Sequence, residues 1–164
     1  MKKVFVIGLL SAFLMGCAAQ PLETVSDAYV EQVPAIAQRI MLDLPEEAAQ
    51  PVMESQDGEQ LFLCSGYELR VQTLNSGNLS DVISEVTGYT QDQLTLIETG
   101  AGKCRRYDCS WCTVGEEGEL VGRTAILDDG NYCYCVTALA KSEDTYDLQQ
   151  EWQQVFSSIE LRQY

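Results

Sequence analysis

RYDCSWCTVGEEGELVGRTAILDDGNYCYCVTAL, residues 106–139, decides the fold. Three runs within it, RYDCSWCTV, ELVGRTAIL and NYCYCVTAL, are rich in β-branched, aromatic and cysteine side chains and read as strands. GEEG at 115–118 and Asp129-Gly130 separate them. Asp-Gly between alternating apolar runs predicts a hairpin, because both turn residues must tolerate positive φ. The stretch therefore predicts three consecutive antiparallel strands.

Working outward, LFLCSGYELRVQTL at 61–74 predicts two strand segments around Ser65-Gly66, or one strand bulged there. Leu69, Val71 and Thr73 fall on one face, and Glu68, Arg70 and Gln72 on the other. AQRIMLDLP at 37–45 alternates with Ile40, Leu42 and Leu44 on one face until Pro45 stops it. After NSGN at 75–78, Leu79, Val82, Ile83 and Val86 are helix-spaced and end at Gly88, the expected left-handed C-terminal residue. LTLIET from Leu94 predicts a further strand. Leu148, Trp152, Val155, Phe156 and Ile159 form one apolar stripe on a closing helix, which must pack on the sheet. The fold class is α+β: an antiparallel meander flanked by helices.

The strand ending in Leu44-Pro45, the meander with its tyrosine-rich run at 132–135 and the helix ending in FSSIEL at 156–161 resemble PsbP-like domains over about residues 36–160. The resemblance implies an antiparallel sheet with flanking helices, used as a binding or assembly module. It transfers no catalytic residue.

At the other end of the chain, MKK is a short basic segment and Val4 to Gly16 is a 13-residue apolar run. A membrane-spanning helix needs about 20 residues, so the pattern is that of a signal peptide. Leu14-Met15-Gly16-Cys17 resembles the lipobox of bacterial lipoproteins, although Met15 is not the commonest residue at its position. That resemblance implies removal of residues 1–16 and a diacylglyceryl lipid on Cys17. It places the protein on the outer face of the plasma membrane, or on an outer membrane. Residues 17–34, polar and broken by Pro21 and Pro34, read as a tether or short helix. Residues 35–164 read as a single domain.

Removing residues 1–16 takes Lys2 and Lys3, leaving 8 Lys and Arg against 25 Asp and Glu, a formal charge of −17. Such a surface excludes nucleic acid, whose phosphates require clustered Lys and Arg. It also repels anionic headgroups, so membrane attachment must come from lipid.

The chain has no histidine, which removes Ser-His-Asp and Cys-His nucleophile systems and the common general base near neutral pH. No GxSxG, P-loop or GxGxxG stretch occurs. Asp128-Asp129-Gly130-Asn131 lacks the alternating ligands and terminal Glu of a calcium loop. A non-catalytic protein without a cofactor beyond its lipid is expected.

Six cysteines remain besides Cys17, and an even number in an exported protein suggests disulfides. Strand geometry places Cys109 and Cys112 on opposite faces, and Cys133 and Cys135 on one face. A four-thiolate zinc site from Cys109, Cys112, Cys133 and Cys135 is the sharper reading, but zinc knuckles need a turn where this stretch reads extended. A thioredoxin-like pair would need a helix after Cys112. Buried or half-buried thiols with one or two disulfides at most are the plainer alternative. Tyr107, Trp111, Tyr132 and Tyr134 are candidate anchors for a ligand. The expected function is binding to an envelope protein, a cell-wall component or a peptide. Thiol-dependent metal or redox chemistry is the alternative.

Overall fold

In the computed structural model, residues 38–164 are described, apart from 57, 101–103, 117 and 164. The expected signal peptide at 1–16, the lipidated Cys17, the tether at 17–34 and the domain start at Ala35 lie outside the described residues.

The alternation around Ile40 yields a short strand, β1 (Arg39–Met41), and Ile40, Leu42 and Leu44 all pack against the main core. Its partner is β9 (Glu160–Arg162), which forms a separate two-stranded antiparallel sheet with it. Then β2 (Met53–Glu54), β3 (Gln60–Cys64) and β4 (Tyr67–Asn75) follow. Ser65-Gly66 is a two-residue hairpin turn, with Cys64 paired to Tyr67 and Gly66 at φ 88°. The expected α1 is Leu79–Thr87: the Asn78 side chain accepts from the Ser80 N–H at its start, and Gly88 at φ 77° ends it. β5 (Ile97–Thr99) pairs with β6 (Arg105–Gly115). β7 (Gly118–Asp128), β8 (Tyr132–Lys141) and α2 (Thr145–Ser157) complete the chain.

The large sheet has seven antiparallel strands in the order β2-β3-β4-β8-β7-β6-β5. Residues 106–139 supply nearly all of β6, β7 and β8, side by side as expected. The hairpin that Asp-Gly predicts joins the last two, but its turn conformation differs from the expected one. Only Gly130 has positive φ there. Asp129 instead turns its carboxylate inward: Oδ1 accepts the N–H groups of Asn131 and Tyr132 at 2.9 and 2.8 Å. Its Oδ2 accepts the Tyr134 hydroxyl and the Gln38 amide, both at 3.0 Å.

Period-two alternation gives the sheet two apolar faces, and each is covered by one helix. Leu148, Trp152, Val155 and Phe156 of α2 meet Leu69, Val71, Ala125, Tyr134, Val136 and Ala138 on one face. Val82 and Ile83 of α1 meet Tyr107, Ile126, Cys133 and Cys135 on the other. Ile126 shows the alternation directly: its neighbours Ala125 and Leu127 belong to the α2 face. The result is an α+β fold with helices on both sides of an antiparallel sheet.

The Asp129 cradle makes stability depend on pH in a definite direction. Burial alone would raise the pKa of this carboxyl, but the Tyr132 and Asn131 N–H groups, the Tyr134 hydroxyl and Gln38 outweigh it and hold the value below normal. A lowered folded pKa means stability that is present above the unfolded value, about 4, and lost as pH falls through the folded one. Asp129→Asn is therefore expected to cost about 1 kcal/mol at pH 7. That is below the usual range of about 1.5–3 kcal/mol for hydrogen bonds to a charged group, because water reaches this turn and screens it. Urea melts of both proteins should converge as pH drops below about 4. A gap that stays constant down to pH 2 would show that the charge is not what holds the turn.

Candidate functional site

The cysteine clusters do not converge. Cys109, Cys133 and Cys135 are buried and share the α1 face, whereas Cys112 is exposed on the other face of the unbroken β6. Cys109 is opposite Thr124, and Thr124 is opposite Thr137, so β7 separates Cys109 from β8. Two inter-strand spacings amount to about 9.6 Å, beyond the usual reach of a disulfide at about 7 Å. All six described cysteines are free thiols. Burial first, with Asp108 adding, pushes the Cys109 thiol up to about 11. Burial first, and then Asp128, takes Cys133 to about 11. Cys135, the deepest, is raised further by the same desolvation. These sulfurs are protonated and behave as small apolar groups. Among the described residues no cluster of three or more Cys, Asp or Glu is placed to hold a metal.

The four aromatic candidates also divide. Tyr107 lies in the α1-face core and Tyr134, 0% exposed, in the α2-face core. Both are thereby removed as surface anchors. Tyr134 is tied to Asp129 and accepts the Gln38 N–H at 2.9 Å, and burial first pushes its hydroxyl up to about 12. Tyr132, half-buried, packs beside Tyr134 with ring centroids 6.2 Å apart. Trp111 lies on the α1 face with its indole over Gly122, occupying the space a Cβ would need there. Its Nε1 donates to Thr124 Oγ1 at 3.1 Å, and Tyr89 lies 6.1 Å away. These four residues do not form one patch.

A different arrangement on the α2 face does form a cavity. The helix covers β8, β4 and part of β7, and leaves an open groove above the β5–β6 half of the sheet. That groove holds a cavity of about 540 Å³, within the usual range for small-ligand sites. Ser110 and Arg123, which face each other across β6 and β7, form part of its floor. Thr145, Gln149 and Trp152 of α2 form one wall, and Ile97, 61% exposed, the opposite rim.

Two arginines stand under the helix with different duties. Arg106 binds Asp108 bidentately, Nε to Oδ2 at 2.7 Å and Nη2 to Oδ1 at 2.9 Å. Its Nη2 also donates to the Phe156 carbonyl at 2.9 Å, satisfying one of the acceptors that every helix leaves free in its last turn. Arg123 lies with its guanidinium carbon 4.4 Å from the centre of the Phe156 ring, a cation–π contact. Among the described residues no carboxylate is within ion-pair distance of Arg123, and none of its N–H groups has an acceptor. Burial lowers its pKa, Asp108 raises it and Arg106 lowers it, but a guanidinium stays charged at neutral pH regardless. The indole N–H of Trp152, buried in the same wall, also lacks a partner among the described residues. In ELVGRTAIL, Arg123 reads as an ordinary polar residue of an alternating strand. Only the placement of α2 turns it into the floor of a cavity.

No family model and no curated protein matches the chain. Among solved structures, a crystal structure of a protein from Bacteroides thetaiotaomicron VPI-5482 is similar with a TM-score of 0.52 at 13% identity. The match covers 76% of this chain and 45% of that one, so this chain spans less than half of that protein's length. At that identity the likeness shows the shared fold, an α+β antiparallel sheet carrying two helices.

Proposed function

We propose that this protein is a lipid-anchored envelope module that acts by binding, with the groove between α2 and β5 as its binding site. The observation that supports this most is Arg123, a charged and partly desolvated group that lines a ligand-sized cavity without an internal counter-charge. A charge in that position is costly unless something pairs with it. The lipobox-like Leu14-Met15-Gly16-Cys17 supports the anchor and the outer-face location, and the layout shared with PsbP-like domains supports a non-catalytic role. Envelope proteins, peptides and cell-wall fragments are the partners in reach of such an anchor. The thiol alternative has no feature in its favour, since Cys112 is turned away from the other three cysteines and those three are buried.

Site-specific photo-crosslinking in intact cells tests the groove. A photoreactive residue at exposed Gln149, in the groove wall, should yield an adduct that Arg123→Gln removes. The same group at Val114, 80% exposed on the β6–β7 hairpin, should not yield it. Identical adducts from both positions would exclude the groove as the binding site.

A further inference from the structure

We propose that the ligand of this groove is a carboxylate bearing a compact apolar group, its two oxygens paired with the free N–H edge of Arg123. The assignment rests on the groove being the binding site, and names the chemistry that it would select.

Four features converge on it. First, the Arg123 guanidinium carbon sits 4.4 Å over the centre of the Phe156 ring, and Phe156 is 0% exposed. This cation–π contact takes up none of the N–H donors, so the guanidinium can still receive two oxygens at once. Second, the nearest internal anion is already committed, because both Asp108 oxygens are bound by Arg106. Asp108 therefore does not neutralise Arg123, and the Arg106–Asp108 pair adds no net charge to the floor. The single uncompensated guanidinium matches a monoanion better than a phosphate dianion. Third, the remaining surface is mixed in a particular way. Ser110, Thr145 and Gln149 offer hydrogen bonds around the guanidinium, while Ile97, Val121 and Trp152 form apolar walls. A carboxylate whose neighbouring carbon carries an aliphatic or aromatic side chain satisfies both. Fourth, about 540 Å³ holds one or two amino-acid residues, not a folded domain. A free N-acyl amino acid and the C-terminal residue of a peptide present this same chemistry.

The two tryptophans provide the readout. The full chain in detergent micelles, labelled with ¹⁵N in its indoles, should give two Nε1–H signals, since the chain has 2 Trp. Trp111→Phe assigns them. Trp152 lines the cavity, whereas Trp111 lies on the opposite face of the sheet with its N–H bonded to Thr124. N-acetyl-leucine should shift the Trp152 signal in a saturable way and leave Trp111 unmoved, while N-acetyl-leucinamide should shift neither. Acetyl-Ala-Ala-Ala-Leu with a free C-terminus separates the two sources. A stronger response than that of N-acetyl-leucine assigns a peptide end, and a weaker one a free acid. Arg123→Gln should weaken acid binding roughly tenfold or more. Gln149→Glu, which keeps the cation–π contact and places a carboxylate in the cavity wall, should do the same in a protein with an unchanged melting temperature. Acid and amide binding equally would overturn the carboxylate assignment while leaving the groove as a binding site. No response to either acid, or undiminished binding by both variants, would overturn it outright.

Discussion

Trp152→Ala costs about 3–5 kcal/mol in a urea melt, the usual range for emptying a buried aromatic position. Trp152 is 6% exposed and sits in the middle of the α2 stripe, edge-on to Tyr67 with ring centroids 5.9 Å apart. Its removal opens a void beside the existing groove, where neither the sheet nor the helix backbone can close in. Trp152→Phe separates volume from polarity. It keeps most of the apolar contact and deletes an N–H that has no acceptor among the described residues, so it should cost less than half as much. A loss below about 1 kcal/mol for Trp152→Ala would mean that α2 does not cap the sheet.

Cys17→Ser moves the protein from the membrane fraction to the soluble fraction almost completely. With residues 1–16 removed the chain carries a formal charge of −17, so it has no electrostatic hold on an anionic bilayer. Acyl chains contribute about 0.8 kcal/mol per buried methylene, and a single chain gives only marginal attachment. Cell fractionation followed by a high-salt wash, with a circular dichroism melt of the released protein, is the measurement. The melt should be unchanged, because Cys17 precedes the domain. A variant that stays with the membrane through the wash would refute the lipoprotein reading.

Much of the sheet was legible because its rules are local. Alternation at Leu69 and Val71 and at 106–139 fixed which side chains share a face, and turn residues fixed where strands end. The elements that escaped are those whose partners are remote. Ile159 continues the apolar stripe of α2 at i+11, so the segment after it read as helix; Ser158 ends the helix, and Glu160–Arg162 pairs with a strand more than a hundred residues earlier. β2 is two residues long and lies in an acidic loop, too short for any periodicity to register. The site was hidden for a related reason. Tyrosine and tryptophan drew attention as anchors, yet Tyr107 and Tyr134 serve the core. Arg123 gains its meaning from Phe156, 33 residues away on a different element, and no spacing rule connects them.

The burial of two thiols, Cys133 and Cys135, beneath one short helix gives the fold an internal clock. Cys133 and Cys135 lie under α1, which spans nine residues and touches the sheet mainly through Val82 and Ile83. Cys112 is open to solvent throughout. A thiol reagent therefore meets Cys112 immediately, the half-buried Cys64 and Cys104 without any movement of α1, and Cys133 and Cys135 only when α1 lifts away. The lag before Cys133 and Cys135 react measures how often that helix detaches, separately from unfolding of the α2 side. In an oxidising compartment the same lag sets the pace at which wrong disulfides can form. The lifetime of the closed helix, more than any pairing of its cysteines, would then limit how long the protein remains intact under oxidising conditions.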